Sequence, residues 1–369
     1  MDNVARIPAQ RTIPTQESPA VGKARVKVLG LGGGGSNAVD RMIELGLTGV
    51  EFIAANTDRQ ALASSLAPTR LVLGPRVTRG LGAGGNPKTG AAAAMESSRE
   101  LAAVLAGADM VFITAGMGGG TGTGAAAVAA EIAREVGAVV IAVVTLPFSF
   151  EMTRRSQNAL DGVKLLQPHT HTLITVPNDR LLQVAPRDVS LEVAFRLADD
   201  VLRQGVQAVS ELITHAGLIN VDFAHIRSLM ERGGGALMAI GVAEGPDKAR
   251  DAIHQALHHP LLGVDSLEYA NGALVHFTGG EDLTLFEVSE AVDELRASLA
   301  PDTDIILGAT TEVAMEGRTQ VILIVTGIGA RPMPTAVASL PRAASLAAAP
   351  TAEDDLDLPT FLRRRVAVG

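Results

Sequence analysis

Apolar residues in the first half of the chain come in short unbroken runs, not in alternation. "ARVKVLGLGGGGSNAVDRMIELGL" reads as strand, glycine-rich turn and helix. "VEFIAANTD" is a strand ending in polar residues, and "DMVFITAGMGGGTGTGAAAVAAEIAREVG" repeats the strand, glycine turn and helix order. "AVVIAVVTLPF" and "HTLITVPND" are further strands. Continuous Val/Ile runs alternating with helices predict a parallel sheet covered on both faces, an α/β fold. From Ser190 to Ala216 the period changes. Leu191, Ala194, Leu197, Ala198, Val201, Gly205, Val209, Leu212 and Ile213 fall at spacings of three and four. They predict one long helix, buried between two layers.

A smaller α+β domain is expected next. Its strands lie near Ala236–Val242, Ala273–Phe277, Asp304–Gly308 and Gln320–Thr326, and its helices near Pro246–Leu257 and Leu283–Leu299. After Gly329 the chain turns Ala/Pro/Ser-rich and reads as a flexible linker. The predicted units are a disordered tail (1–23), an α/β domain (24–189), a central helix (190–217), a C-terminal domain (218–329), a linker (330–352) and a terminal peptide (353–369).

Composition narrows the chemistry. The chain has 369 residues and a formal net charge of −9, so a basic footprint for nucleic acid is absent. It holds no Cys, which excludes disulfides and thiolate metal sites. His258 and His259 are adjacent and point to different faces of a helix, so a zinc site is not expected. No stretch reaches 18 apolar residues and the N-terminal segment is no signal peptide; a soluble protein is expected.

Thirty-nine glycines stand out, and many cluster after strands. Gly30, Gly32 and Gly35 satisfy GxGxxG between a strand and a helix, formally the dinucleotide fingerprint. An NAD-binding oxidoreductase would need only this loop. A second cluster, "GMGGGTGTG" (Gly116–Gly124), also joins strand to helix, and its Thr121 and Thr123 add hydroxyls. A third, "GLGAGGNP" (Gly80–Pro87), lies between them. Three such loops on one parallel sheet are expected to converge at its carboxyl edge around one polyphosphate. None is GxxxxGK[ST], which excludes a P-loop enzyme.

GGGTGTG is the signature of the tubulin/FtsZ superfamily, and the chain resembles its bacterial FtsZ family from about Ala24 to Gly329 and again in the terminal peptide. "NTDRQAL", "GLGAGGNP", "AVVTLPFSFE", "VPNDRLL", "LITHAGLINVDFA", "PLLG" and "VTGIG" follow the family's blocks in order. The resemblance implies a tubulin-like fold that binds GTP and GDP with Mg²⁺ or K⁺. It assigns Gly33, Gly34 and Asn37 to the first nucleotide loop, with Asn37 at the guanine. Asn56 and Asp58 fall near the phosphates, Asp58 also near the metal. Ala83, Gly84 and Gly85 fall at the γ-phosphate, and Gly118, Gly119, Gly120, Thr121, Gly122, Thr123 and Gly124 form the phosphate cradle. Glu151 and Arg155 match ribose contacts, and Asn178, Phe195 and Asp199 the guanine side. There Phe195 stacks and the Asp199 carboxylate accepts from the base. Read as residues alone, Phe195 also suits a plain core position, and Glu151 with Arg155 a helix ion pair. Of the adjacent acids Asp199 and Asp200, Asp199 is the choice, four residues after Phe195.

The resemblance also implies head-to-tail filaments of the chain with itself, or with a second FtsZ, in a cytoplasmic division ring at mid-cell. A loop patterned NxDxxD enters the neighbour's nucleotide pocket and completes hydrolysis. Here that loop reads Asn220-Val-Asp222-Phe-Ala-His225, so His225 stands where the family has its second Asp. Three readings stay open: slower hydrolysis within ordinary filaments, near-normal turnover with imidazole as acceptor, or an inactive paralogue that co-polymerises. The peptide "DLDLPTFLRRR" resembles the family's adaptor-binding tail. That implies membrane-tethering adaptor proteins docking on Asp357, Leu358, Pro359, Phe361, Leu362 and Arg363, without direct membrane insertion.

Overall fold

The computed structural model describes residues 24–183, 188–214, 219, 222–232, 234–262, 267 and 270–328. In chain order the elements are β1 (Val26–Leu31), α1 (Gly32–Glu44), β2 (Val50–Asn56), α2 (Arg59–Ala63), β3 (Thr69–Val72), α3 (Pro87–Glu96), α4 (Ser98–Leu105), β4 (Met110–Gly116) and α5 (Thr121–Glu135). Then follow β5 (Val139–Leu146), α6 (Thr153–Leu166), β6 (Thr172–Pro177), α7 (Asn178–Leu181) and α8 (Leu191–Thr214). The remainder is α9 (Phe223–Glu231), β7 (Gly234–Glu244), α10 (Lys248–Leu257), β8 (Gly272–Gly279), α11 (Leu285–Ser298), β9 (Asp304–Thr311) and β10 (Arg318–Thr326).

The unbroken apolar runs become the inner strands of the sheet, and they are apolar throughout because both faces are covered. Alternate residues divide between two cores. Val26, Val28, Met110, Phe112, Ile141 and Val143 face one way and pack with Met42 of α1 and Leu202 of α8. Leu29, Leu31, Val111, Ile113, Val140 and Ala142 face the other way, with Ala125 and Ala129 of α5 and Leu101 of α4. Strands β1 to β6 pair in parallel. Their order β3-β2-β1-β4-β5-β6 therefore sets the turns after β1 and β4, neighbours in the sheet, at one shared carboxyl edge.

The C-terminal strands continue the sheet of the first half, and one expectation, full burial of α8, needs correction. β6 pairs in parallel with β7 through Thr172–Gly234, Leu173–Gly235 and Ile174–Ala236. The sheet thus continues as β7-β10-β8-β9, ten strands in all among the described residues. Burial of α8 is also uneven. Ala194, Ala198, Val201, Leu202, Val206, Val209 and Leu212 are buried, but Leu191 and Leu197 are exposed. Both exposed positions fall in the first two turns of the helix, which also hold buried Ala194 and Ala198.

Candidate functional site

The site is built from turns that leave backbone donors free. Helix α1 starts directly at Gly32, with no side-chain cap and no acid in its first turn. Helix α5 starts at Thr121 in the same condition. By contrast Asp58 caps α2 and Asn86 caps α3. The opening N–H groups of an uncapped helix have no intrahelical acceptor, and the helix dipole makes that end attractive to anions.

Close approach demands glycine in these turns. Gly32 has φ +69°, and a Cβ added there would lie 2.9 Å from the Gly122 amide nitrogen. A Cβ on Gly34 would come within 3.3 Å of the Gly116 nitrogen, and one on Gly120 within 2.8 Å of Ala83 Cβ. The first, second and third glycine loops therefore do converge. The fingerprint glycines have another job. A Cβ on Gly30 would meet Gly35 O at 2.4 Å, and one on Gly35 would meet Thr114 O at 2.3 Å. They let α1 lie on the sheet. Gly33 has open space around it, and both Gly33 and Asn37 are exposed. Gly84 and Gly85, at φ +58° and +70°, are also unobstructed, as is Gly119.

Hydrogen bonds fix the loops in place. Gly118 N–H donates to Thr123 Oγ1 at 2.8 Å, so the buried Thr123 hydroxyl serves the loop itself. Thr121 Oγ1 lies 2.6 Å from Thr57 Oγ1. Asn158 Nδ2 donates to the carbonyls of Gly85 and Gly118, at 3.4 and 3.3 Å. Asn56 Oδ1 accepts from Asp58 N–H at 3.2 Å. Asp58 Oδ1 accepts from the amides of Gln60 and Ala61, at 2.9 and 3.1 Å. Thr57 and Asn158 were missed in the sequence, since nothing in their spacing distinguishes them from other surface-helix and strand-end polar residues.

Side chains gather at the start of α8. Phe195 is 38% exposed and meets buried Phe148 edge to face, their centroids 5.4 Å apart. Phe150 stacks on Phe148 at 5.0 Å. Phe195 is thus a half-open ring rather than plain core. Asn178 is buried, and its Oδ1 has no hydrogen-bond partner. Glu151 pairs with Arg155, and its other oxygen accepts from Phe148 N–H at 2.9 Å. The ion pair leaves the Arg155 side chain 53% exposed.

The two adjacent acids separate clearly. Burial would raise Asp200, but hydrogen bonds from Arg203 and Gln204 hold its carboxyl below the ordinary range. Asp199 has no such partner among the described residues, and burial pushes it up to about 7. A desolvated carboxylate without a donor is poised to accept from one.

The second candidate stretch lies elsewhere. Asp222 caps α9, its Oδ1 accepting from Ala224 N–H at 3.1 Å, and His225 is exposed in the first turn. No hydrogen bond or ion pair among the described residues joins either side chain to the glycine loops. Ile219 anchors the approach by a bridge to Ala309 of β9. Asn220 and the peptide residues Asp357, Leu358, Pro359, Phe361, Leu362 and Arg363 lie outside the described residues. Among the described residues no cluster of three His, Cys, Asp or Glu is arranged to hold a metal. No described helix is long and apolar enough to cross a membrane.

Comparison with known proteins agrees with this geometry. Residues 25–186 match the sequence model of the Tubulin/FtsZ family, GTPase domain. Residues 234–329 match that of the FtsZ family, C-terminal domain. Among solved structures, the chain is similar to FtsZ of M. jannaschii, solved as an empty dimer. The identity is 46% over 83% of this chain and 89% of that one, with a TM-score of 0.80. CetZ2 from Haloferax volcanii, a GTPgS-bound protofilament, is 22% identical over 82% of this chain and 93% of its own, with a TM-score of 0.68. That last likeness concerns the fold alone.

Proposed function

The chain belongs to the tubulin/FtsZ family of GTPases, and from that premise we propose that it binds GTP at the converged glycine loops and hydrolyses it between stacked subunits. The carrying observation is the meeting of two uncapped helix N-termini, α1 and α5, in a cradle where a Cβ on Gly32 or Gly120 would intrude. Such a cradle suits the phosphates. Gly33, Gly34, Ala83, Gly84, Gly85 and Gly118 to Gly124 supply backbone there, with Asn56 and Asp58 beside them. An NAD enzyme would leave the second cradle without a task.

The other end suits guanine. Guanine offers donors at N1–H and its amino group, and Asp199 supplies acceptors for both. Adenine has an acceptor at N1 and would face the carboxylate unfavourably. Phe195 offers a ring, Asn37 a polar contact, and Asn178 Oδ1 an acceptor still lacking a donor. Glu151 and Arg155 border the ribose. A divalent cation would enter with the phosphates, because the protein gathers few carboxylates there. Asp58 is the nearest candidate, with Oδ1 already committed to capping. Mg²⁺ bound chiefly by phosphates fits that donor set, and would there neutralise developing charge.

Asn220, Asp222 and His225 would act on a neighbour's nucleotide, in a head-to-tail filament. Heterologous contacts of this kind give open chains. Phosphoryl transfer asks the protein mainly for positioning and electrostatics, so half-sites on two subunits suffice. Asp222 can accept from the attacking water. Neutral His225 can also accept, but holds Mg²⁺ or K⁺ poorly compared with a carboxylate. Slow hydrolysis within ordinary filaments is therefore the reading we adopt. The filaments would serve a cytoplasmic division ring, held to the membrane by adaptors on the terminal peptide.

Phosphate release from GTP, measured for the wild type and His225→Asp, tests this. The substitution is expected to raise the rate by on the order of a hundredfold, with GTP-dependent sedimentation retained in both. Equal rates would refute His225 as the limiting residue. Absence of GTP-dependent sedimentation would refute the filament. Co-sedimentation only with a second FtsZ would favour a structural co-polymer.

A further inference from the structure

Helix α10 carries a pair of imidazoles that the GTPase reading does not use. His254 and His258 stand four residues apart, so both project from one face of the helix. Their ring centroids are 4.2 Å apart, with planes tilted by 34°. The i, i+4 spacing that pairs them is visible in the sequence, whereas His259 lies off that face.

The partners of these rings fix their tautomers. His258 Nδ1 lies 2.8 Å from the His254 carbonyl oxygen. A carbonyl only accepts, so Nδ1 must carry the proton. His254 Nδ1 lies 3.0 Å from Glu294 Oε1 of α11. The Glu294 carboxylate is held below its ordinary range: burial opposes this, but His254 and Arg250 donate to it and outweigh burial. It therefore accepts as well, and His254 Nδ1 is again the donor. In each neutral ring the lone pair consequently sits on Nε2. This is the arrangement of metal-binding histidines, whose second nitrogen donates to a carboxylate or a backbone carbonyl. Both side chains are exposed, His254 by 60%, so a cation has free access.

We propose that His254 and His258 form a surface chelate for a borderline divalent transition cation such as Zn²⁺, bound through both Nε2 atoms, with water completing the coordination. Two imidazoles at i, i+4 lie on one helix face and can reach the same metal ion. Hard cations such as Mg²⁺ favour oxygen donors and would not compete. Glu294 acts as the positioning residue, orienting His254 without touching the ion. None of the three belongs to the candidate nucleotide residues.

Calorimetric titration of the full chain with Zn²⁺, in Mg²⁺-free buffer, tests the proposal. The wild type is expected to bind one more equivalent than His254→Gln or His258→Gln, with His259→Gln unchanged. Glu294→Gln should keep the site but weaken it about tenfold or more. Circular dichroism would check that each variant is folded. Equal stoichiometry and affinity in the wild type and both His variants would overturn the proposal, as would absence of saturable binding.

Discussion

Asp199 and Asp200 show how two identical side chains one residue apart acquire opposite characters. Arg203 and Gln204 claim Asp200, whereas Asp199 is desolvated and raised to about 7. Guanine needs the ionised form of Asp199. GTP affinity is therefore expected to be about tenfold weaker at pH 6 than at pH 8, given that value near 7. Asp199→Asn should weaken GTP by on the order of tenfold to a hundredfold and abolish this slope. Competition against a fluorescent guanine nucleotide measures both, and a flat wild-type profile would refute the role. Residues of this kind were only half legible in the sequence. Spacing from Phe195 singles out Asp199, but the burial that tunes it depends on contacts remote in the chain. Glycine loops were more legible, because a positive φ or a 2–3 Å approach leaves few other choices. The bond from Gly118 N–H to the Thr123 hydroxyl was not, since spacing alone does not show which donor a hydroxyl accepts from.

Helices α3 and α5 pack without large side chains between them. A Cβ on Gly124 would lie 2.0 Å from Pro87 O, and one on Gly90 would lie 2.2 Å from Gly120 O. Close packing of this kind holds the third glycine loop against the second. Gly124→Ala is expected to cost about 2–3 kcal/mol by overpacking, read by urea denaturation, with loss of GTP binding at lower denaturant than unfolding. Unchanged stability would show that the two helices can separate at little cost. The elements themselves were unequally visible. Buried strands announced themselves as Val/Ile runs. The segment PKTGAAAAME of α3 has no apolar stripe for periodicity to detect, because small residues suffice at so short a helix separation. In α8 the period was right but burial was not: Leu191 and Leu197 fall on the repeat yet are exposed near the start of the helix.

One sheet runs through both matched family regions, and its continuity was hidden from the sequence because strand pairing is decided by partners far away in the chain. Buried His276 of β8 ties acid stability to that sheet. Glu211 lies 3.8 Å from its Nδ1 and Thr310 Oγ1 lies 3.3 Å from its Nε2. Burial nevertheless lowers the imidazole to about 4 from its ordinary 6.5. Between those values the unfolded chain binds more protons than the native one, so this group's contribution is lost as pH falls. It should cost about 2 kcal/mol between pH 7 and pH 5. Asp199, raised rather than lowered, works in the opposite direction over an overlapping window. The decisive quantity is thus the difference between wild type and His276→Gln in urea unfolding at the two pH values, and no difference would refute the assignment. Mutation also has unequal room across the molecule. On the proposed reading, the triphosphate end is mostly backbone, and at Gly32, Gly120 and Gly122 a new side chain collides with neighbouring loops. The base end is made of side chains: Asp199, Phe195 and Asn178. An evolving lineage, or an engineer, can therefore rewrite which base is recognised, while the grip on the phosphates is inherited nearly frozen.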